Sequence, residues 1–197
     1  MTAEKSRFVV SVLAFDRIGL IQAITSAIAD RGGDIDGMSQ TVIRGYFTVI
    51  ITAKFDGIYE KEEIRDAILQ NFQPGEASVV VRDYEENSRH PIGQTERYIL
   101  TLTGKDRPGI LKMVSSYLAE SHINIEDYYF TIQGEDVTHI GELSIPINTD
   151  IKQLLGELHT LVSSIGLAPA LQHENLFRAA NDIFSIRQLF KERSCEK

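Results

Sequence analysis

Hydrophobic residues recur with two periods in the first half of the chain, one typical of a strand and one typical of a helix. Apolar side chains fill every second position of Phe47–Phe55, which predicts a strand with one buried face. Isoleucines at helical spacing within Ile21–Ile28 predict a helix that ends at Gly32-Gly33. The predicted elements, in order, are a strand over Arg7–Ala14, the helix of Ile21–Ile28, strands over Asp34–Ile43 and Phe47–Phe55, a helix over Glu60–Phe72 and a strand over Ala77–Val81.

The second half of the chain repeats this β-α-β-β-α-β order. Its hairpin is predicted to have a turn about two residues longer than the turn of the first hairpin. The last strand contains Pro169, which has no N–H to donate to a ladder, so this strand should lie at a sheet edge. The predicted elements are a strand over Arg97–Gly104, a helix over Pro108–Ser121, strands over Ile123–Ile132 and Thr138–Ile147, a helix over Asp150–Ile165 and a strand over Leu167–Leu171.

An internal repeat with an offset of 90 residues underlies this order. Asp16–Ile21, Asp-Arg-Ile-Gly-Leu-Ile, recurs as Asp106–Leu111, Asp-Arg-Pro-Gly-Ile-Leu. The same offset carries Asp34–Asp36 onto Asn124–Glu126 and aligns the apolar starts of the first strands. Because the matches keep their chemistry in three separate elements, the chain is predicted to contain two homologous units. The units cover residues 5–83 and 96–173, joined by a polar linker over residues 84–95 that contains Pro and Gly.

A C-terminal segment, residues 174–197, returns to a helical pattern. The positions that lie near one stripe of such a helix are Leu176, Ala180, Ile183, Arg187 and Phe190. This pattern predicts an amphipathic helix that packs on the body of the protein or on a partner.

Composition and charge disfavour several classes of protein. The chain has 197 residues, 43% of them hydrophobic, and no apolar run near the ~20 residues that cross a bilayer. Its net charge of -8 disfavours direct binding to nucleic acid or to an anionic membrane surface. Met1–Lys5 leads into a strand without the pattern of a signal peptide, and Cys195 alone cannot build a disulfide framework. We therefore expect a cytoplasmic protein.

The Asp-Arg-x-Gly turn between the first strand and the first helix, within a β-α-β-β-α-β unit, resembles the ACT domain family. The resemblance covers both units, Lys5–Asp83 and Glu96–Gln172. The tandem layout is similar to that of the glycine-cleavage-system regulator proteins. Three further stretches, Ser39–Thr41, Gly45–Thr48 and Gln172–Phe177, resemble small stand-alone bacterial ACT proteins.

The resemblance implies an α+β fold of two tandem ferredoxin-like ACT domains whose antiparallel sheets join side by side through their second strands. ACT domains are regulatory and generally lack catalytic residues, and many bind an amino acid where the sheets meet. The chain is therefore expected to be a non-enzyme that senses a small-molecule effector and acts through a protein partner, a regulator or an enzyme. Control of glycine and one-carbon metabolism or of transcription is the expected setting, and no cofactor is expected.

The resemblance also implies that the ligand contacts the loop after the first strand and the start of the second strand. Unpaired N–H groups where the helix begins favour a carboxylate, and Asp106 can pair with an ammonium group. Asn124 offers both an acceptor and two donors. The implied ligand-binding residues are Asp106, Arg107, Pro108, Gly109, Ile110, Asn124 and Ile125 in the second unit, and Asp16, Ile18, Gly19, Leu20, Asp34 and Ile35 in the first.

A structural interpretation competes with each of these assignments. An aspartate before a helix is usually an N-cap, and Gly109 can serve helix–sheet packing alone. Pro108 fits the first turn of the helix. The first unit is the weaker candidate because Ile18 replaces the proline and Asp34 replaces the asparagine, which puts a negative charge where a carboxylate would lie.

Metal and catalytic chemistry find little support in the sequence. The five histidines show no metal-ligand spacing with another histidine, cysteine or acid. His139 is interpreted as a satisfied structural histidine, His173-Glu174 as capping or packing, and Cys195 as a thiol without a base. A ligand-free module for protein interaction or dimerisation is the alternative function, and an enzyme is the third. Two arrangements stay open: the units satisfy each other within one chain, or two chains form a homodimer.

Overall fold

The computed structural model describes residues 5–86 and 93–180, which form two compact units. The first unit consists of β1 (Lys5–Phe15), α1 (Leu20–Ala29), β2 (Gly33–Ile43), β3 (Tyr46–Asp56), α2 (Lys61–Leu69) and β4 (Ala77–Asp83). The second consists of β5 (Thr95–Lys105), α3 (Ile110–Glu120), β6 (Asn124–Gln133), β7 (Asp136–Pro146), α4 (Ile151–Ser163), β8 (Leu167–His173) and α5 (Glu174–Ala180).

Each unit is one antiparallel sheet of four strands with two helices packed on one of its faces. The strand order is β2-β3-β1-β4 in the first unit and β6-β7-β5-β8 in the second. This is the order of a ferredoxin-like fold, so the predicted β-α-β-β-α-β architecture is confirmed. β8, which contains Pro169, lies at an edge of its sheet, as its proline predicts.

The core of each unit lies between the sheet and its helices. Along β3 every second residue from Phe47 to Phe55 is at most 2% exposed, which confirms the predicted alternation. α1 buries Leu20, Ile24 and Ile28 in the same core. Complete burial of one such side chain contributes about 1.5–3 kcal/mol, so these apolar stripes hold the helices on the sheet.

The two units keep their offset of 90 residues from the first strand to the last. β1, β3 and β4 each begin and end 90 positions before β5, β7 and β8. The helices α3 and α4 begin 90 positions after α1 and α2. Each position of one unit therefore has a direct structural equivalent in the other.

Both hairpins close through two residues, so the prediction of a longer second turn is wrong. The turns are Arg44-Gly45 in the first unit and Gly134-Glu135 in the second. The sequence prediction ended the first strand of the second hairpin at Ile132 and began its second strand at Thr138, because polar residues lie between these positions. The ladder continues through those polar residues, since strand pairing uses backbone groups rather than hydrophobic side chains.

One predicted helix start is wrong, and the extent of the C-terminal helix and the domain limits stay predictions. α3 begins at Ile110, so Pro108 precedes the helix and does not occupy its first turn. α5 covers the first seven residues of the predicted C-terminal helix and lies against β5 and β8. The stripe positions Ile183, Arg187 and Phe190 lie outside the described residues, as do linker residues 87–92, so the domain limits stay a prediction. No helix among the described residues is long and apolar enough to span a membrane.

Candidate ligand site in the second unit

The loop between β5 and α3, residues 106–109, is exposed and is tethered to the tip of the neighbouring hairpin. The Asp106 N–H donates to the Glu135 carbonyl oxygen at 2.8 Å. Gly109 is the N-cap of α3, and no side chain within the described residues caps this helix. The N–H groups of its first turn, together with the helix dipole, therefore suit an anion.

Two structural interpretations of this loop are wrong. Asp106 does not cap α3, since the N-cap is Gly109, three residues later. Nor does Gly109 serve close packing, because a Cβ there would meet no described atom within 4 Å. Glycine is favoured by its φ of 92°, a left-handed conformation that costs other L-residues about 1–2 kcal/mol.

The loop arginines of the two units differ in their partners. Arg17 Nε donates to Glu76 Oε1 at 2.6 Å, and this contact holds the pKa of the Glu76 carboxyl below its usual value. The position equivalent to Glu76 in the second unit is Gly166. Arg107 is exposed and forms no ion pair with any residue that the structure describes. An uncommitted cation beside a helix N-terminus is therefore a property of the second unit alone.

Asn124 lies at the opposite end of the sheet from the loop. β7 pairs with Lys105 through Asp136 but with Asn124 through Ser144, eight residues further along. Eight residues of strand span roughly 27 Å at about 3.4 Å per residue. The Asn124 amide donates to Glu126 Oε1 at 3.0 Å. One unit therefore does not bring Asn124 and its own loop to the same small ligand.

The apolar residues that the resemblance implied are mostly committed to the core. Ile110 and Leu20 are 3% and 2% exposed. Ile125 and Ile35 pack against the cores of their units. These side chains pack in the core and hold the loop and the strand start in place. Ile18 differs, since it is completely exposed in the loop of the first unit.

The loop of the first unit has the same backbone hydrogen bond and the same glycine conformation as the loop of the second unit. The Asp16 N–H donates to the Gly45 carbonyl oxygen at 2.8 Å, as Asp106 does to its own hairpin tip. Gly19 has the φ of 92° found at Gly109. Asp34 lies near the start of β2, opposite Lys54. The loop conformation is therefore the same in both units, and only its side-chain partners differ.

A buried polar pair lies on the helix side of β6 and β7. His139 is 5% exposed, and neither ring nitrogen hydrogen bonds to a residue that the structure describes. The buried Tyr128 Oη also has no partner among the described residues, and the two ring centroids are 5.7 Å apart. Burial lowers the pKa of His139 and raises the pKa of Tyr128 to about 12, so both side chains are neutral near pH 7.

The interpretation of His139 as a satisfied histidine is therefore wrong. Its burial was foreseeable from the alternation of β7, but its missing partners depend on which side chains the fold places around it. The repeat held a signal that identifies it: the equivalent residue of the first unit is Val49, which is 1% exposed. A histidine that replaces a core valine is an unusual substitution within one frame.

Other polar clusters are satisfied by the protein itself. An open groove between α3 and α4 contains Tyr117, whose hydroxyl donates to Glu157 at 2.7 Å. His173 Nδ1 accepts from the Asn175 N–H at 3.2 Å, which confirms the predicted capping role. No group of three histidine, cysteine, aspartate or glutamate residues within the described ranges is arranged to hold a metal ion.

Two segments of the chain match family models of the ACT domain, residues 8–67 and residues 96–169. One match lies in each unit, so the expected resemblance to tandem ACT proteins is confirmed. A UPF0237 protein of Methanococcus maripaludis is 37% identical over 84 residues, which are 42% of this chain and 93% of that protein.

Two solved structures resemble most of the chain. A protein of unknown function from Galdieria sulphuraria has a TM-score of 0.71 at 20% identity, covering 86% of this chain and 99% of that one. A protein assigned as a glycine cleavage system transcriptional repressor has a TM-score of 0.62 at 12% identity, covering 85% and 96% of the two chains. At these identities the likeness shows the fold alone.

Proposed function

Because the chain belongs to the ACT domain family, we propose that it is a regulatory protein, not an enzyme, that senses an amino acid through the β5–α3 loop. The observation that carries this proposal is the difference between Arg17 and Arg107. Arg17 is neutralised by Glu76 at 2.6 Å, whereas Arg107 forms no ion pair within the described residues. The second unit thus keeps a cation for a ligand where the first unit does not.

An amino acid fits the charges of this loop. Its carboxylate is suited to Arg107 and to the N–H groups of the first turn of α3, whose N-cap is Gly109. Its ammonium group is suited to Asp106, which is exposed and does not cap the helix. Pro108 restricts the loop directly after these two charged residues. The ligand contacts proposed for the second unit are therefore Asp106, Arg107, Pro108, Gly109 and Ile110, the last through its backbone.

Asn124 and Ile125 are proposed as a separate contact, because their end of the sheet is roughly 27 Å from the loop along β7. The loop of the first unit is proposed as a structural counterpart, since its arginine is already paired. The residues proposed as structural in the first unit are Asp16, Ile18, Gly19 and Leu20 in this loop, and Asp34 and Ile35 at the start of β2.

Ligand size limits the strength of sensing. An amino acid as small as glycine has few heavy atoms, so its binding free energy does not exceed roughly −7 to −8 kcal/mol. Micromolar affinity is therefore the upper limit, which suits a protein that follows the concentration of a metabolite. The ligand acts on a protein partner to the extent that it binds two states of the chain with different affinity.

A thermal-shift screen of the 20 amino acids at millimolar concentration tests this proposal. We expect at least one amino acid to raise the melting temperature of the wild type. Arg107→Ala should abolish that shift, because it removes the cation that binds the carboxylate. Arg17→Ala is the matched control and should retain the shift. If the wild type responds to no amino acid, or if Arg107→Ala responds as the wild type does, the proposal is wrong.

A module for protein interaction is the second candidate, and a surface of the first unit favours it. The face of this sheet turned away from the helices carries exposed apolar side chains. They are Leu13, Phe15, Tyr46, Ile50 and Val80, each between 49% and 63% exposed. The equivalent residues of the second unit are Thr103, Lys105, Asp136, Ile140 and Ala170, a more polar set. An exposed apolar patch of this kind is typical of a protein-binding surface.

A further inference from the structure

Three buried polar atoms lie together in the second unit without a described partner. They are Nδ1 and Nε2 of His139 and Oη of Tyr128. Buried donors and acceptors are almost always hydrogen bonded, and one left unpaired costs about 1–3 kcal/mol. A ligand that supplies partners to these atoms would recover that cost, so the pair has the chemistry of a binding site.

The pair lies close to the ligand loop. His139 is opposite Leu102, three residues before the end of β5, which corresponds to roughly 10 Å of strand. The Asp106 carboxylate acts on the imidazole and opposes the lowering of its pKa by burial. The residue proposed to bind the ammonium group thus lies within electrostatic range of His139.

Apolar side chains border the pair. Phe130 lies across from His139 on the same side of the sheet, with ring centroids 5.4 Å apart. Phe130 and Ile132 are 52% and 45% exposed, so the two helices leave this strip of β6 uncovered. A ligand side chain lying along this strip would have its aliphatic part on apolar surface and its end at the imidazole and the phenol.

The first unit lacks the polar pair and the unpaired loop arginine. Its equivalents of His139, Tyr128 and Gly141 are Val49, Met38 and Ile51, and its loop arginine is paired with Glu76. In the second unit Gly141 leaves room for the Tyr128 ring, since a Cβ there would approach that ring to 3.0 Å. The polar pair and the uncommitted arginine therefore occur together, in one unit only.

We propose that His139 and Tyr128 determine ligand specificity by hydrogen bonding to the side chain of the bound amino acid, and that this side chain carries a neutral amide or hydroxyl group. This inference rests on the proposed function, because the loop holds the amino and carboxylate groups. An amide matches best, since its oxygen can accept from the imidazole N–H or the phenol O–H and its NH2 group can donate to the unprotonated imidazole nitrogen.

Neutrality of the ligand side chain follows from the burial of the pair. A charged side chain would lose its hydration against two neutral groups, which costs more than these hydrogen bonds return. A purely apolar side chain would leave the imidazole and the phenol unpaired. A site built to hydrogen bond a group rejects analogues that lack it far more strongly than a hydrophobic pocket rejects a misfit.

Isothermal titration calorimetry with glutamine, methionine and glutamate tests the inference. Methionine has the length of glutamine without its amide, and glutamate has its shape with a charge. We expect the wild type to bind glutamine at least about tenfold more tightly than either, the value of one good hydrogen bond. Asparagine against leucine repeats the comparison with a shorter side chain.

Two variants locate the discrimination. Tyr128→Phe removes only the hydroxyl, and His139→Val installs the residue of the first unit. Each should reduce the preference for glutamine over methionine by about fivefold or more while methionine affinity stays within about twofold. His159→Gln, on an exposed position of α4, is the control and should change neither value.

These outcomes distinguish a failure of the proposed function from a failure of the inference about side-chain specificity. If no amino acid binds the wild type, the proposed function fails and this inference fails with it. If amino acids bind but the amide and apolar ligands bind equally, the inference alone is overturned. The same holds if Tyr128→Phe and His139→Val keep the full preference of the wild type.

Discussion

Position 49 holds a valine in the first unit and the equivalent position 139 holds a histidine in the second, although both are at most 5% exposed on the third strand of their sheets. The arginine of the first loop is paired with Glu76, whereas the position equivalent to Glu76 in the second unit is a glycine, Gly166. The same fold is thus used twice. The loop arginine is paired in the first unit, whereas among the described residues of the second unit Arg107 has no ion pair and His139 has no hydrogen-bond partner. The difference teaches that the two units differ in a core residue as well as in the loop.

The largest expected effect comes from moving the histidine into the first unit. Val49→His places an imidazole in an apolar core without a hydrogen-bond partner, and it should lower the free energy of unfolding by about 2–4 kcal/mol. Urea unfolding followed by circular dichroism measures this loss. Thr48→His, on the other face of the same strand, is the matched control and should change stability by less than about 0.5 kcal/mol. Equal losses in both variants would contradict the proposed contrast.

The reverse exchange should stabilise the second unit. His139→Val removes two buried nitrogens that have no described partner, so the ligand-free protein should gain about 1 kcal/mol in its free energy of unfolding. Chemical unfolding without amino acids measures this gain. A loss of stability would mean that the imidazole has a structural role. It would contradict the expectation that His139 lowers the stability of the ligand-free protein.

The smallest effect concerns an ion-paired carboxylate of the first unit. Asp36 accepts from the Thr52 hydroxyl at 2.5 Å and pairs with Lys54 at 2.9 Å and Arg7 at 2.7 Å. These contacts lower the pKa of Asp36 from 3.8 to about 2. Because the folded pKa is the lower one, the carboxylate stabilises the protein above pH 3.8, and this contribution is lost as the pH falls to about 2.

Melting temperatures between pH 7 and pH 2 should show this effect. Asp36→Asn should melt below the wild type at neutral pH, and the difference should shrink as the pH falls from 3.8 to about 2. Asp34→Asn, two residues earlier and without an ion pair in the described structure, serves as the control. A difference that is constant over this range would contradict the assigned pairing.

The order of strands and helices could be predicted from the sequence, because it depends on local hydrophobic patterns. The alternation of Phe47–Phe55 and the repeat of Asp16–Ile21 in Asp106–Leu111 each require only neighbouring residues, and both are confirmed. The prediction was wrong where the structure depends on contacts between residues that are distant in the sequence or on the backbone conformation of single residues. Helix α3 begins at Ile110, after the N-cap Gly109 in a left-handed conformation, and no hydrophobic pattern marks that glycine as an N-cap.

The candidate site was predicted only in part for the same reason. The loop residues follow from a local motif, but their distance from Asn124 depends on the pairing of three strands. Within the described residues His139 has no hydrogen-bond partner, because the fold surrounds it with Tyr128, Phe130 and an aliphatic core. A comparison of equivalent positions in the two halves of the chain would have identified His139 as unusual, since the equivalent residue Val49 is apolar.

The offset of 90 residues, unchanged from β1 to β8, has a genetic consequence. Recombination between the two halves of the coding sequence at equivalent positions stays in frame and keeps every strand in register. Its shorter product retains one complete β-α-β-β-α-β unit, and its longer product carries three. This chain can therefore gain or lose whole β-α-β-β-α-β units by crossover without passing through an incomplete sheet.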